Sequence, residues 1–320
     1  MKHRGSQRRV AIIGAGMVGS TFAYAMTIKG VARELALIDV SRERALGEAM
    51  DLRHGSALLE PMAIEAGGYE LCEGAQLVVI TAGAPQKEGQ NRLDLAQENA
   101  DIMRAIIPQI LEHNPDPIIL VAANPMDVLT KVALKASGLP AQQVFGSGTV
   151  LDSSRFSSLL ASHCGLDPHN VHAHVLGEHG DSEVLVWSQV NLAGVPMEDY
   201  CSSCTKQCDD GSLRRRLSKE VPQAAYEVIK RKGATYYAIG LALARIAEAV
   251  LKDQHSLLTI STLARDLSGL EEVCLSLPCV VGTGGVERIV TPHLAEDEDR
   301  AMKASAKILR QTLGKVNALT

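Results

Sequence analysis

"VAIIGAGMVGS", Val10 to Ser20, is the stretch on which the reading of this chain turns. A short apolar run meets glycine at once, and Gly14, Gly16 and Gly19 stand in G-x-G-x-x-G spacing ahead of a segment of helical character. Glycine at a tight strand-to-helix turn lets the backbone approach a pyrophosphate, and the helix N-terminus favours the negative charge. The spacing alone is a weak signal. Asp39 strengthens it, because it lies at the end of a second apolar run, "ELALIDV", where a carboxylate takes the ribose hydroxyls of a dinucleotide. A carboxylate there also repels a 2′-phosphate, which predicts NAD rather than NADP, with Arg42 the nearby cation that argues the other way.

Extended to Ile28, the same stretch runs 19 residues without a charge behind a basic amino terminus. That length raises a membrane-spanning or signal-peptide reading. Three glycines, a serine and two threonines interrupt it, so a buried strand, turn and helix explain it better, and no membrane partner is expected. With 320 residues the chain can form about two domains. Its net charge is −5, and the basic triplet Arg214-Arg215-Arg216 falls in a helix-like stretch, so nucleic acid is not an expected partner. With a membrane or secretory reading set aside the expected location is cytoplasmic, and seven cysteines, an odd number in such a chain, predict free thiols. Cys201, Cys204 and Cys208 share a face if helical, open to a metal or redox reading, yet zinc would need a fourth ligand and no histidine lies nearby in sequence.

The first half is regular. Apolar runs "RVAIIG", "LALIDV", "AIEAG", "QLVVIT", "PIILVAAN" and "VFGSG" alternate with segments of helical spacing such as Ala96, Ala100, Met103, Ile107 and Ile110. Strands apolar throughout, alternating with helices, predict an α/β unit with a doubly wound parallel sheet of Rossmann type over residues 8–146. Pro125, directly after Asn124, is expected in the first turn of a helix. Residues 147–316 read as a second, α+β unit that binds substrate. It has a helix from about Leu151, β-rich segments "VHAHVLG" and "EVLVWSQVNLAGV", and helices near 213–232 and 235–252. Two more β segments, "SLLTISTL" and "CLSLPCVVG", and a closing helix near 296–313 complete it. Ligands are expected in the crevice between the two units.

Five blocks in this order, "ITAGAPQKEGQNRLDL", "AANPMDVL", "GSGTVLDSSRF", "GEHGDSE" and "KGATYYAIG", resemble the L-lactate dehydrogenase family in its bacterial form, over Val10 to about Val316. The resemblance implies hydride transfer between NADH and pyruvate, giving L-lactate and NAD+, in a homotetramer. It implies cofactor contacts at Gly14, Gly16, Met17, Val18, Gly19, Asp39, Thr81, Ala82, Gly83, Asn124 and Ser147, the last near the nicotinamide carboxamide. Arg155 resembles the carboxylate anchor, a role suited to a planar guanidinium with two parallel donors. Without the family match Arg155 reads equally well as a helix-surface arginine in a salt bridge. Asp152, three residues earlier, shares its helical face and is implied to pair with the catalytic histidine.

That histidine is His179, the implied general acid and base, with the carboxylate favouring its imidazolium. A metal reading competes, because His172 and His174 stand close by and would point the same way on a strand; hydride transfer from NADH, however, needs no metal when cations supply the charge. Arg92 is implied to polarise the substrate carbonyl from a mobile loop, "APQKEGQN" having the polar, Pro- and Gly-interrupted composition of a lid. Asn124 is implied to bond the substrate oxygen or the nicotinamide ribose. Gln86 and Thr235 are implied to set substrate choice. Related malate dehydrogenases carry arginine where Gln86 stands, and a neutral amide leaves a second carboxylate unpaired, which favours pyruvate. Activation of bacterial relatives by fructose 1,6-bisphosphate uses an arginine two positions after the anchor and a histidine before the catalytic loop. Here His172 is kept but Ser157 replaces the arginine, so activation is not expected. The competing class is a non-catalytic NAD-binding protein, which need not keep His179, Arg155 and Arg92.

Overall fold

Residues 8–85, 92–203, 211–265 and 267–318 are described by a computed structural model. Through the first half run β1 (Arg9–Ile13), α1 (Met17–Lys29), β2 (Glu34–Ile38), α2 (Arg42–His54), β3 (Ala63–Gly67), β4 (Leu77–Ile80), α3 (Arg92–His113), β5 (Ile118–Val121), α4 (Met126–Ser137) and β6 (Val144–Gly146). β4 and β5 are buried at every position, as strands covered by helices on both faces must be. All pair in parallel in the order β3-β2-β1-β4-β5-β6. β1 therefore has β2 on one side and β4 on the other, with Ile13 opposite both Ile38 and Ile80. The chain winds away in opposite directions from this point, leaving a crevice beyond the strand ends.

The second half follows as α5 (Val150–Cys164), β7 (Val171–His172), β8 (Val175–Gly177), β9 (Glu183–Leu185), β10 (Asn191–Leu192), β11 (Val195–Pro196), α6 (Met197–Ser203), α7 (Ser212–Lys232), α8 (Tyr237–Leu251), β12 (Ser256–Leu263), β13 (Cys274–Gly282), β14 (Gly285–Ile289) and α9 (Glu296–Ala318). Its long strands do not form a detached sheet. β12 lies antiparallel beside β6, with Ser261 opposite Gly146, and β13, β8 and β9 continue outward as one eleven-stranded sheet. The main core draws on both halves, joining Ile12, Val79 and Leu120 to Leu243, Leu277 and Leu309. A smaller core holds Phe156, Leu160 and Leu217, with Trp187 packed edge-on to Phe156 at 4.8 Å. Each large apolar side chain so buried contributes roughly 1.5–3 kcal/mol.

Several local expectations shift. Pro125 is extended and caps α4 rather than entering its first turn. α8 starts two residues after Thr235, and α9 runs on past 313 to Ala318. Val10–Ile28 forms β1, the glycine turn and most of α1, and no helix among the described residues is long and apolar enough to cross a membrane. Arg214, Arg215 and Arg216 are exposed on α7 between buried Leu213 and Leu217, which is the solvated helix face expected of them. Cys201 lies on α6, half-buried, whereas Cys204 and Cys208 lie outside the described residues.

α1, which follows the glycine turn, is braced by α8. Gly240 lies against Thr21 so closely that a Cβ would sit 2.7 Å from its methyl. Glu248 accepts from Lys29 at 2.7 Å and from Lys252 at 2.9 Å. The hydrogen bonds from Lys29 and Lys252 hold its carboxyl down to about 2, from an ordinary 4.5. A carboxyl lowered on folding stabilises the native state above its unfolded value, and that contribution disappears as pH falls toward the folded value. Glu248→Gln is expected to lower stability by about 1 kcal/mol at neutral pH, a modest figure because both lysines are partly exposed. In denaturant titrations the gap to the parent protein should close between pH 4.5 and about 2.

Candidate active site

At the crevice, Gly14 takes φ +105°, a left-handed conformation that a side chain would strain. Its N–H donates to the Ile38 carbonyl at 2.7 Å, and a Cβ there would lie 2.6 Å from the Ala82 nitrogen. A Cβ on Gly19 would meet the Gly14 carbonyl oxygen at 1.9 Å, so this glycine sets how closely α1 approaches β1. Gly16 is different: nothing lies within 4 Å of where its Cβ would project. It caps α1 and has no side chain to accept the first-turn amides. An open space beside a helix start without a side-chain cap is what a pyrophosphate requires, so the residues fit a dinucleotide.

Asp39 faces the same turn. Its two oxygens accept from the Ala15 and Ser41 amides at 2.7 and 2.8 Å, which fixes the carboxylate beside the glycines. The Thr81 hydroxyl donates to the Gly14 carbonyl at 2.7 Å, tying the end of β4 to the turn. Met17 is exposed and Val18 is half-buried at the start of α1, while Ala82 and Gly83 follow Thr81 along the crevice. Asn99, a residue that the sequence did not single out, organises this edge. It accepts from the Ala84 amide at 2.6 Å and donates to the Asn124 carbonyl at 2.7 Å, holding exposed Asn124 beside the crevice. Ser147 is buried just past β6, its N–H bonded to Val121 at the end of β5.

The second-half residues converge on one carboxylate. Asp152, 1% exposed in the first turn of α5, accepts from His179 Nδ1 at 2.6 Å through one oxygen and from Arg155 Nη1 through the other. With Nδ1 donating to a carboxylate, Nε2 is the ring atom left for proton exchange. The His179 side chain is 25% exposed, enough to reach a ligand. Burial by itself favours its neutral ring, but the charge and hydrogen bond of Asp152, with Asp127 behind them, outweigh this and raise it to about 9. Burial likewise pushes Asp152 up, and the His179 and Arg155 cations reverse that and keep it below the ordinary carboxylate range. At neutral pH the site therefore holds a carboxylate flanked by an imidazolium and a guanidinium.

Three other residues hold the loop between β8 and β9 that carries His179. Asp127, 2% exposed on α4, accepts from the His179 amide at 2.7 Å and from the Ser261 hydroxyl at 2.6 Å. Burial raises its carboxyl to about 7 despite both bonds. Ser305 on α9 accepts from the Glu178 amide at 2.8 Å. The sequence reading missed Asp127, Ser261 and Ser305; the acid placed directly behind "ANPM" was the available signal for the first.

Other expected positions lie elsewhere or outside view. Thr235 is half-buried in the segment before α8. Gln86 lies outside the described residues, and Arg92 opens α3 without a described side chain. His172 and His174 face a separate cavity of about 240 Å³ with Ser153, Ser157 and Thr259, and among the described residues no lysine or arginine lines it. They do not join His179 in a metal-binding arrangement. Among the described residues, the trio with ligand atoms within 4.8 Å of one another is Asp253, His255 and Glu287, exposed near the β13–β14 turn.

The chain is similar to known proteins along nearly its whole length. Residues 8–146 match the family model described as lactate/malate dehydrogenase, NAD binding domain, and residues 149–320 match its alpha/beta C-terminal domain. L-lactate dehydrogenase 1 of Clostridium acetobutylicum is 44% identical over 96% of this chain and 98% of its own length. The L-lactate dehydrogenase of Nitratidesulfovibrio vulgaris (strain Hildenborough) is 48% identical over 95% and 98%. The crystal structure of a lactate dehydrogenase from a Medee basin deep-sea metagenome library superposes with a TM-score of 0.93 at 42% identity, covering 97% of this chain and 99% of that one. Shared at this level along nearly the whole length, with both family models in sequence order, the chain belongs to the lactate/malate dehydrogenase family.

Proposed function

We propose that the crevice between residues 8–146, as the NAD-binding unit, and residues 147–316, as the substrate unit, interconverts pyruvate and L-lactate with His179 as proton donor and acceptor. The chain is an NAD-dependent oxidoreductase acting on L-lactate. The observation that carries the assignment of roles is the buried Asp152 shared between His179 at 2.6 Å and Arg155.

Gly14, Gly16, Met17, Val18 and Gly19 would hold the pyrophosphate, Asp39 the adenosine ribose, and Thr81, Ala82, Gly83, Asn124 and Ser147 the remainder of the cofactor toward the nicotinamide. When bound, NADH supplies the hydride. Arg155 has five N–H donors and gives Asp152 one described bond, which leaves donors for a 2-oxo acid carboxylate. Arg92 would polarise the carbonyl, and Asn124 would bond the same oxygen or the ribose. Held protonated up to about 9, His179 gives its Nε2 proton to the oxygen as negative charge develops. In the reverse direction neutral His179 removes the hydroxyl proton, so lactate oxidation gains as pH rises toward 9.

Gln86 and Thr235 would shape a pocket for a methyl group. The malate reading within the same family requires a cation for the second carboxylate, and Gln86 is neutral. A homotetramer accords with Tyr24 and Ile28 on α1 and Tyr237 and Leu241 on α8, all exposed on two helices packed side by side. A cytoplasmic location accords with the buried free thiols Cys72, Cys274 and Cys279. Fructose 1,6-bisphosphate is not proposed as an activator, because the cavity lined by Ser157 and His172 has no lysine or arginine among the described residues.

Three measurements test these assignments. A panel of 2-oxo acids assayed with NADH and NADPH should give pyruvate with NADH the highest kcat/KM; a preference for oxaloacetate refutes the argument from Gln86. Asp152→Asn removes the charge that chiefly opposes burial, so NMR titration should find His179 well below about 9. Pyruvate reduction in that variant should fall by about 10²–10⁴ at neutral pH. Rate curves at low pyruvate should coincide with and without fructose 1,6-bisphosphate, and a large activation would refute the argument from Ser157.

A further inference from the structure

A further concave feature lies where α3, α4 and α9 meet. It encloses about 490 Å³, within the usual range for small-ligand sites. Arg104 of α3, Lys131 and Lys135 of α4 and Arg310 of α9 line it together with the carboxylate of Glu272, over an aliphatic wall that includes Leu313. Four cations from three helices therefore face one space.

Their charge is only partly met within the chain. Arg104 pairs with Asp101 at 2.7 Å. Lys131 has Glu272 as its ion-pair partner, but at 3.9 Å and with that carboxylate side chain 87% exposed. Arg310 donates to the carbonyls of Gly269 at 2.8 Å and Glu271 at 3.4 Å, bonds that aim the guanidinium without neutralising it. Lys135 has no ion-pair partner among the described residues, and it stands one turn from Lys131, a like-charge spacing that costs helix stability. An aimed guanidinium, two lysines a turn apart and a concave wall form a receptor for several anionic oxygens.

We propose that this cavity binds a polyanion bearing at least two phosphate groups, distinct from the dinucleotide crevice. Its occupant would join α4 and α9, the helices whose Asp127 and Ser305 hold the amides of His179 and Glu178. A single phosphate would engage fewer of the cations and bind more weakly.

The probe is inorganic pyrophosphate, with orthophosphate as the monophosphate arm, titrated against the NADH-loaded protein while thermal unfolding is followed. NADH keeps the glycine turn filled. Pyrophosphate should raise Tm saturably, and orthophosphate should need a higher concentration. The double variant Lys131→Gln/Lys135→Gln, and Lys135→Glu alone, should each require about tenfold more pyrophosphate. Lys219→Gln/Lys230→Gln, which removes equal charge from α7, should behave as the parent protein does. Failure of the parent protein to show a saturable rise overturns the proposal. So does an unchanged pyrophosphate dependence in the Lys131 and Lys135 variants, or an equal loss in the α7 control.

Discussion

A buried carboxylate bonded on one side by an imidazole and on the other by a guanidinium is the constraint around which this molecule is arranged. An unpaired Asp152 at 1% exposure would cost several kcal/mol, so the fold must deliver both cations to it. α5 supplies one locally, since Arg155 is a single turn away. The other comes from the loop between β8 and β9, which must be set at the right height above the sheet. One carboxylate between two cations leaves a single positive charge, which a monoanionic 2-oxo acid is suited to balance.

The supporting carboxyl is made different by its surroundings. Asp152 is kept ionised by cations, whereas Asp127 sits among a backbone amide and a hydroxyl and is raised to about 7 by burial. Two aspartates within one site thus take separate tasks, one setting the charge of the histidine ring and the other the position of its backbone. Ser305 adds a third hold from α9, so α4, α5 and α9 each touch the loop through a different atom.

What could be read in advance follows from which interactions are local. The glycine spacing and Asp39 were legible because a turn and two adjacent strands create the crevice within thirty residues or so of chain, and buried parallel strands leave unmistakable apolar runs. Asp152 and Arg155 were legible as a helical pair, although His179 entered through family resemblance rather than through spacing. Asp127, Ser261, Asn99 and Ser305 were not, because common polar residues that serve distant backbone amides leave no periodic trace. Ser261 and Asp127 are separated by 134 positions. The continuation of the first sheet into the second half was equally hidden. It depends on β12 meeting β6 at Ser261 and Gly146, a contact that no local pattern of either segment announces.

That junction bears on how the chain comes apart. With one hydrogen-bonded sheet crossing from β6 to β12, and with Leu243, Leu277 and Leu309 sharing a core with Ile12 and Val79, neither half can melt without exposing the interior of the other. Denaturation is then expected to be a single cooperative event. A dinucleotide that contacts chiefly the amino-terminal strands lends its binding free energy to the carboxy-terminal elements as well, by mass action on the whole native state.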